Sequence, residues 1–240
     1  MTSPSTTKTK PRVIALIAAA GQGTRLGAEV PKAYVELRGR TLLERSVRAL
    51  LASGVVDEVI VLVSPDMEPE AARIIGRIDA APIRLVHGGS ERADSVWAGL
   101  QAIPDDDAVV LIHDAARALT PPAMVRGVAK RVLEGAPAAV PVVPVADTIK
   151  EVAADAVVST PDRSRLRAVQ TPQAFRLPAL RQANLDYWAE QPEFTATDDA
   201  SLMEWHGEHV ATVPGDTLAF KITTPIDLTL AHALTEETHD

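Results

Sequence analysis

Apolar runs and amphipathic stretches alternate along the first half of this chain. Residues 13–19 form an unbroken apolar run of strand length, as expected for a strand buried on both faces. Residues 41–53 read as a helix, because Thr41 can cap it with Glu44 at the third position and Leu43, Val47, Leu50 and Leu51 share one face. Further strands are expected over 58–63, 83–86 and 108–112. Helices are expected between them over 69–78 and 92–103, the second with Val96, Leu100 and Ile103 turned inward. Strands and helices alternating at these intervals predict an α/β fold, a mostly parallel sheet with helices on both faces. Ligands of such sheets sit beyond the C-terminal strand ends.

The second half departs from this rhythm. Residues 138–145 are apolar but contain Pro141 and Pro144. A missing N–H excludes proline from a central strand, so the stretch of about 141–170 reads as an extended β-arm projecting from the domain. Exposed arms need their edges covered, and a second copy of the chain would cover them, which predicts a homodimer through the arm. Helices near 180–189 and 198–205, a strand near 210–213, the stretch 219–223 and a helix from Pro225 complete the chain. Residues 1–11 are polar and of low complexity and read as a disordered tail, leaving a single domain over 12–240.

Composition narrows the class. The 240 residues are 46% hydrophobic but only 3% aromatic, so the core must be built from Ala, Val, Leu and Ile. A net charge of −8 argues against nucleic acid or an anionic membrane as partner, since either needs a basic field. No apolar run approaches membrane-spanning length. The absence of cysteine fits a reducing, cytoplasmic setting.

The first strand runs into Ala19-Ala20-Gly21-Gln22-Gly23-Thr24-Arg25, followed by Pro31-Lys32. Glycines let backbone N–H groups close around phosphate oxygens, and two fixed cations beside them suit a polyphosphate whose charge changes during reaction. A P-loop would need a Gly-Lys pair, which is missing here. A dinucleotide fingerprint would need glycine where Leu26 stands and an acid where the second strand instead runs into Ser64-Pro65. An ordinary strand-to-helix bend is the plainer alternative. Two more strands end in polar loops: His87-Gly88-Gly89-Ser90-Glu91-Arg92-Ala93-Asp94-Ser95, and His113-Asp114-Ala115-Ala116-Arg117. Either alone could be a plain turn, but three such loops on one sheet edge point to a site. His206 and His209 have no third ligand nearby and predict no metal site, while Trp188 and Trp205 read as packing residues.

Taken in order, these motifs, with Asp147-Thr148, Asp162-Arg163, Gln170-Thr171-Pro172-Gln173 and Lys221-Ile222-Thr223, resemble the 2-C-methyl-D-erythritol 4-phosphate cytidylyltransferases over about residues 12–235. The resemblance implies a Rossmann-like domain with a dimerising β-arm. It also implies transfer of a cytidylyl group from CTP to methylerythritol phosphate, with Mg²⁺ held mainly by the CTP phosphates and no protein metal ligand assigned. Arg25, Lys32, Arg163 and Lys221 would be catalytic. Ala19, Ala20, Gly21, Gly23, Gly88, Gly89 and Ser95 would bind the nucleotide. Asp114, Arg117, Thr148, Arg163 and Thr171 would hold the second substrate, some of them from the partner subunit. Asp114 could instead meet Mg²⁺. Ala18, Ser90 and Ala118 depart from the family pattern without removing a charged group. A cytidylyltransferase for another polyol phosphate, such as ribitol 5-phosphate, is the nearest alternative. A hexose-1-phosphate nucleotidyltransferase and a catalytically silent nucleotide-binding module are more distant ones.

Overall fold

Strand β1 (Arg12–Ala18) lies inside an eight-stranded sheet, fully buried over residues 13–17. A computed structural model of the protein describes residues 10–21 and 30–235. Residues 1–9 of the expected tail 1–11, Gly23 and Arg25 lie outside the described residues. β1 pairs in parallel with β4 (Glu58–Val63) on one side and with β6 (Ala108–Asp114) on the other, and β4 pairs in parallel with β5 (Ile83–His87). The short β2 (Glu36–Leu37) and β3 (Arg40–Thr41) form a separate two-stranded ribbon. The expected strand over 58–63 is β4, residue for residue.

Side chains alternate across β1. Val13, Ala15 and Ile17 pack into one apolar cluster with residues of α1 (Leu42–Ala52), α2 (Glu68–Ile75) and α4 (Pro122–Leu133). Ile14 and Leu16 pack into a second cluster with residues of α3 (Arg92–Gln101), α5 (Leu177–Glu190) and α6 (Asp199–Trp205). Helices therefore cover both faces, as the alternation predicts. Thr41 caps α1 as expected, its hydroxyl accepting the Glu44 N–H at 3.1 Å. Helix α7 (Pro225–Leu234) contributes Ala231 to a smaller third cluster with Val35, Leu37, Leu42, Ala118 and Ile222.

The second half departs from alternation as expected, four strands following residue 144 before the next α-helix. It also holds a helix absent from the expected elements, α4, which follows β6 and buries Met124, Val125, Val128, Ala129 and Val132 along one face. One expectation is corrected: prolines do not exclude β7 (Ala138–Pro144) from the sheet interior. It pairs in antiparallel fashion with β11 (Gln173–Arg176) and β10 (Arg167–Val169) on one side, and in parallel with β12 (Val210–Pro214) on the other. The Pro141 carbonyl faces Gln170, whose N–H donates to it at 2.9 Å. The missing Pro141 N–H therefore points to the same side, where the partner strand is interrupted between β10 and β11. There the ladder asks nothing of it. Within the stretch 141–170, the ends thus belong to the sheet. Only β8 (Glu151–Ala153) and β9 (Ala156–Ser159) stand as a separate hairpin, with Val152 and Val157 exposed. Trp205 packs edge-on against Tyr187 at 5.4 Å, as a packing residue should, whereas Trp188 is exposed.

Candidate active site

The C-terminal ends of β1, β5 and β6 meet at a cavity of about 180 Å³. Ala18–Gly21 line it from β1, Gly89 to Arg92 and Ser95 from the β5–α3 connection, and Asp114 to Ala116 from β6. Lys32 enters from the turn Lys32–Tyr34 and Lys221 from the segment before α7. Of the residues singled out from sequence, the cavity gathers Lys32, Lys221, Ala19, Ala20, Gly21, Gly89, Ser95 and Asp114. The described parts of the three polar loops share one edge.

Gly88 and Gly89 hold this edge tight for reasons of space rather than backbone angle. A Cβ on Gly88 would lie 2.5 Å from Ser95 Oγ and 3.2 Å from the Ala20 Cβ, and one on Gly89 would overlap Asp94. Any side chain there would push the first turn of α3 away from the β1 loop. That turn is further fixed by Asp94, whose carboxylate accepts the Glu91 N–H at 3.1 Å and the Ser90 hydroxyl at 2.8 Å. The Ser95 hydroxyl donates back to the Glu91 carbonyl at 3.0 Å.

Asp114 is the electrostatic centre. Lys221 Nζ lies 2.7 Å from its Oδ2 and Arg92 Nε lies 3.4 Å from its Oδ1, while Arg92 Nη1 reaches Asp199 Oδ2 at 2.8 Å. Burial alone would raise the Asp114 carboxyl. The Arg92 and Lys221 charges overcome that and hold it well below the usual carboxylate range. Asp199 is buried more completely, and burial pushes its carboxyl up against the pull of Arg92. Arg92 and Asp199 did not emerge from the sequence as site residues. Arg92 stands inside a quoted motif, but Asp199 is 107 residues away from it, and only the fold makes them a pair.

Among the described residues, the other candidates for the second substrate lie outside the cavity lining. Thr171 is buried behind the cavity, its hydroxyl accepting the Asp114 N–H at 3.0 Å and lying 3.1 Å from His113 Nδ1. Arg117 lies outside the cavity lining and donates to the Ala219 carbonyl at 2.7 Å. Thr148 is exposed, and Arg163 donates to the Ala146 carbonyl at 2.6 Å in a separate depression shared with Asp162 and Arg167. Ser90 and Ala18 line the cavity, while Ala118 is core. His206 pairs with Asp186 at 2.9 Å. Among the described residues no cluster of three His, Cys, Asp or Glu could hold a metal ion, and no helix is long and apolar enough to cross a membrane.

His113 makes the site sensitive to acid. Burial, only partly offset by the Asp114 charge, pushes its imidazole down to about 4. The unfolded chain would take up the proton near pH 6.5, so stability is full above that value and is lost as pH falls towards about 4. The loss should be of order 3 kcal/mol. Urea unfolding across this window should show a falling midpoint, with a flatter profile for His113→Gln. Equal slopes in the two proteins would contradict the assignment.

Residues 13–237 match the family of 2-C-methyl-D-erythritol 4-phosphate cytidylyltransferases. The chain is 62% identical over 232 residues to the 2-C-methyl-D-erythritol 4-phosphate cytidylyltransferase of Corynebacterium efficiens, with 94% of each chain covered. It is 63% identical over 230 residues to that of Corynebacterium diphtheriae, again with 94% of each covered. The crystal structure of the Thermus thermophilus enzyme of the same name superposes with a TM-score of 0.77 at 36% identity, covering 94% of this chain and 99% of that one. A 4-diphosphocytidyl-2C-methyl-D-erythritol synthase from Anaerococcus prevotii superposes with a TM-score of 0.83 at 30% identity, covering 95% of this chain and all of the other.

Proposed function

The chain belongs to the 2-C-methyl-D-erythritol 4-phosphate cytidylyltransferase family, and from that premise we propose how its cavity carries out the transfer. It is a nucleotidyltransferase of isoprenoid-precursor biosynthesis. Its substrates are CTP and methylerythritol phosphate. A phosphate oxygen of the polyol attacks the α-phosphorus of CTP, a new P–O bond forms, and the bond to the leaving diphosphate breaks. The nucleophile is largely ionised near neutrality, its second pKa being about 6, so no general base is needed. Repulsion between two anions and charge growing on the α-phosphoryl oxygens are what must be overcome.

The observation that carries this reading is the convergence of Lys32, Lys221 and the glycine-backed main chain of Ala19–Gly21 and Gly89 on one cavity of an acidic protein. Lys32 and Arg25 stabilise the transition state, and Lys221 positions the reacting phosphates. Ala19, Ala20, Gly21 and Gly23 contact the triphosphate through the backbone, while Gly88, Gly89 and Ser95 shape the cytosine subsite. Asp114, ionised and flanked by cations, faces the second substrate, with Thr171 and Arg117 supporting it. Thr148 and Arg163 lie away from this cavity in their own chain, so their place in the reaction is across a homodimer, with the β8–β9 hairpin reaching the partner. The exposed valines of that hairpin support such a role.

Magnesium fits the lining. The ion asks a protein for one or two carboxylates and takes its other ligands from phosphates and water. Among the described residues, Asp114 and Glu91 are the carboxylates that line the cavity. Bound mainly by the CTP phosphates, the ion would neutralise charge on the triphosphate. The enzyme works in the cytoplasm, with neither nucleic acid nor membrane as partner, a setting that its lack of cysteine and its net charge of −8 suit.

The test is diphosphate release with CTP, ATP, GTP and UTP, each offered methylerythritol phosphate or ribitol 5-phosphate. Turnover should be confined to CTP with methylerythritol phosphate. Faster turnover with ribitol 5-phosphate would overturn the substrate assignment.

A further inference from the structure

The motif Gln170-Thr171-Pro172-Gln173 joins β10 to β11, and Gln170 is left without a role by the reaction just described. Its side chain is buried and spends both ends of its amide on the backbone of a single residue, Asp216. Nε2 donates to the Asp216 carbonyl at 2.8 Å, and Oε1 accepts the Asp216 N–H at 3.0 Å. The neighbouring Gly215 makes this clamp possible. A Cβ there would collide with Gln170 Oε1 and lie 2.9 Å from the Val142 carbonyl oxygen, to which the Gly215 N–H itself donates at 2.9 Å.

From this anchored end the chain runs to Lys221 in five residues, each turn of it tied down. Asp216 accepts the Leu218 N–H at 2.8 Å, starting the turn Thr217–Ala219. The Ala219 carbonyl accepts from Arg117, and the Ile222 N–H donates to the Ala116 carbonyl at 2.9 Å. Lys221 leaves this segment to meet Asp114 at the cavity.

We propose that Gln170 is a positioning residue for Lys221, locking the 215–222 segment to β7 and β10 so that the ammonium group is held where the phosphates react. The proposal rests on the reading of Lys221 as a residue acting on those phosphates. A displacement of about 1 Å in a catalytic group can cost on the order of 10²-fold in rate, and a buried amide bound to both backbone groups of one residue is a device for preventing it. Gln170→Leu keeps the volume and removes the clamp. Gly215→Ala attacks the clamp from the other side with Gln170 intact.

A double-mutant cycle on kcat separates this from a purely structural role. Gln170→Leu should lower kcat by about 10- to 100-fold in the parent enzyme. In a Lys221→Ala background the same change should cost less than about twofold, because the group it positions is gone. Gly215→Ala should behave in the same way and carries the test by itself if Gln170→Leu does not fold. Losses that multiply with that of Lys221→Ala, or a parent-like kcat in both clamp variants, would overturn the inference while leaving Lys221 its role. A parent-like kcat in Lys221→Ala would instead overturn the reading of Lys221, and the inference with it.

Discussion

Replacing Lys32 by alanine is expected to lower kcat by about 10²–10³, the usual loss when one preorganised charge is removed from a developing anion. The fold should survive. Lys32 opens a single turn that is anchored by its neighbours: Ala33 and Tyr34 are buried in the first apolar cluster, and the Tyr34 N–H donates to the Pro31 carbonyl at 2.9 Å. Lys32 itself is only partly buried, so truncation removes charge from the cavity rather than volume from the core. Arg25 carries the same expectation from the sequence motif, although it lies outside the described residues. Steady-state diphosphate release beside a urea melt makes the check. A kcat within threefold of the parent in a well-folded Lys32→Ala protein would remove lysine from the mechanism. Loss of activity together with loss of the cooperative melt would show that the turn, not the charge, had been broken.

Lys32 was legible in the sequence because its signal is local. A cation shortly after a glycine loop, itself at the end of an apolar run, places the side chain at a strand end once the sheet is inferred. The same holds for Gly89, Ser95 and Asp114, each within a few residues of a strand whose position follows from hydrophobic pattern. Strand β4 and the Thr41 cap were equally readable, since period and capping are short-range. What was not legible depends on pairing across the chain. Pro141 looks disqualifying until the interruption in the opposite strand supplies a place where no N–H is needed. Thr171 is expected to hold the second substrate, and only the fold adds that its hydroxyl accepts the Asp114 N–H. Arg117 is expected to hold the second substrate, and only the fold shows that its guanidinium also supports the segment that carries Lys221.

Arg92 shows the energetic side of the same point, and its replacement should have the largest effect on stability. It stands between two carboxylates whose side chains are only 11% and 7% exposed, those of Asp114 and Asp199. Burial would lower the guanidinium, but the Asp199 and Asp114 charges more than reverse that and raise it above its ordinary value. Arg92→Met keeps much of the apolar stem and removes the charge. Asp114 would retain Lys221, but Asp199 would be left as a buried ion without its cation, beside Asp198 at the start of α6. Breaking a buried pair in this way costs about 3–5 kcal/mol, and the urea midpoint should fall accordingly. The pH dependence has a definite sign. Without Arg92 the Asp199 carboxyl, already raised by burial, must rise further above its unfolded value. The penalty is then full above the folded pKa and is relieved as pH falls through it, so the gap between variant and parent should narrow towards acid. Adding Asp199→Asn to Arg92→Met should recover part of the loss at neutral pH, because the stranded charge is gone. A single variant less than about 1 kcal/mol below the parent would mean that the triad contributes little net stability. Its retention would then have to be explained by placement of Asp114 alone.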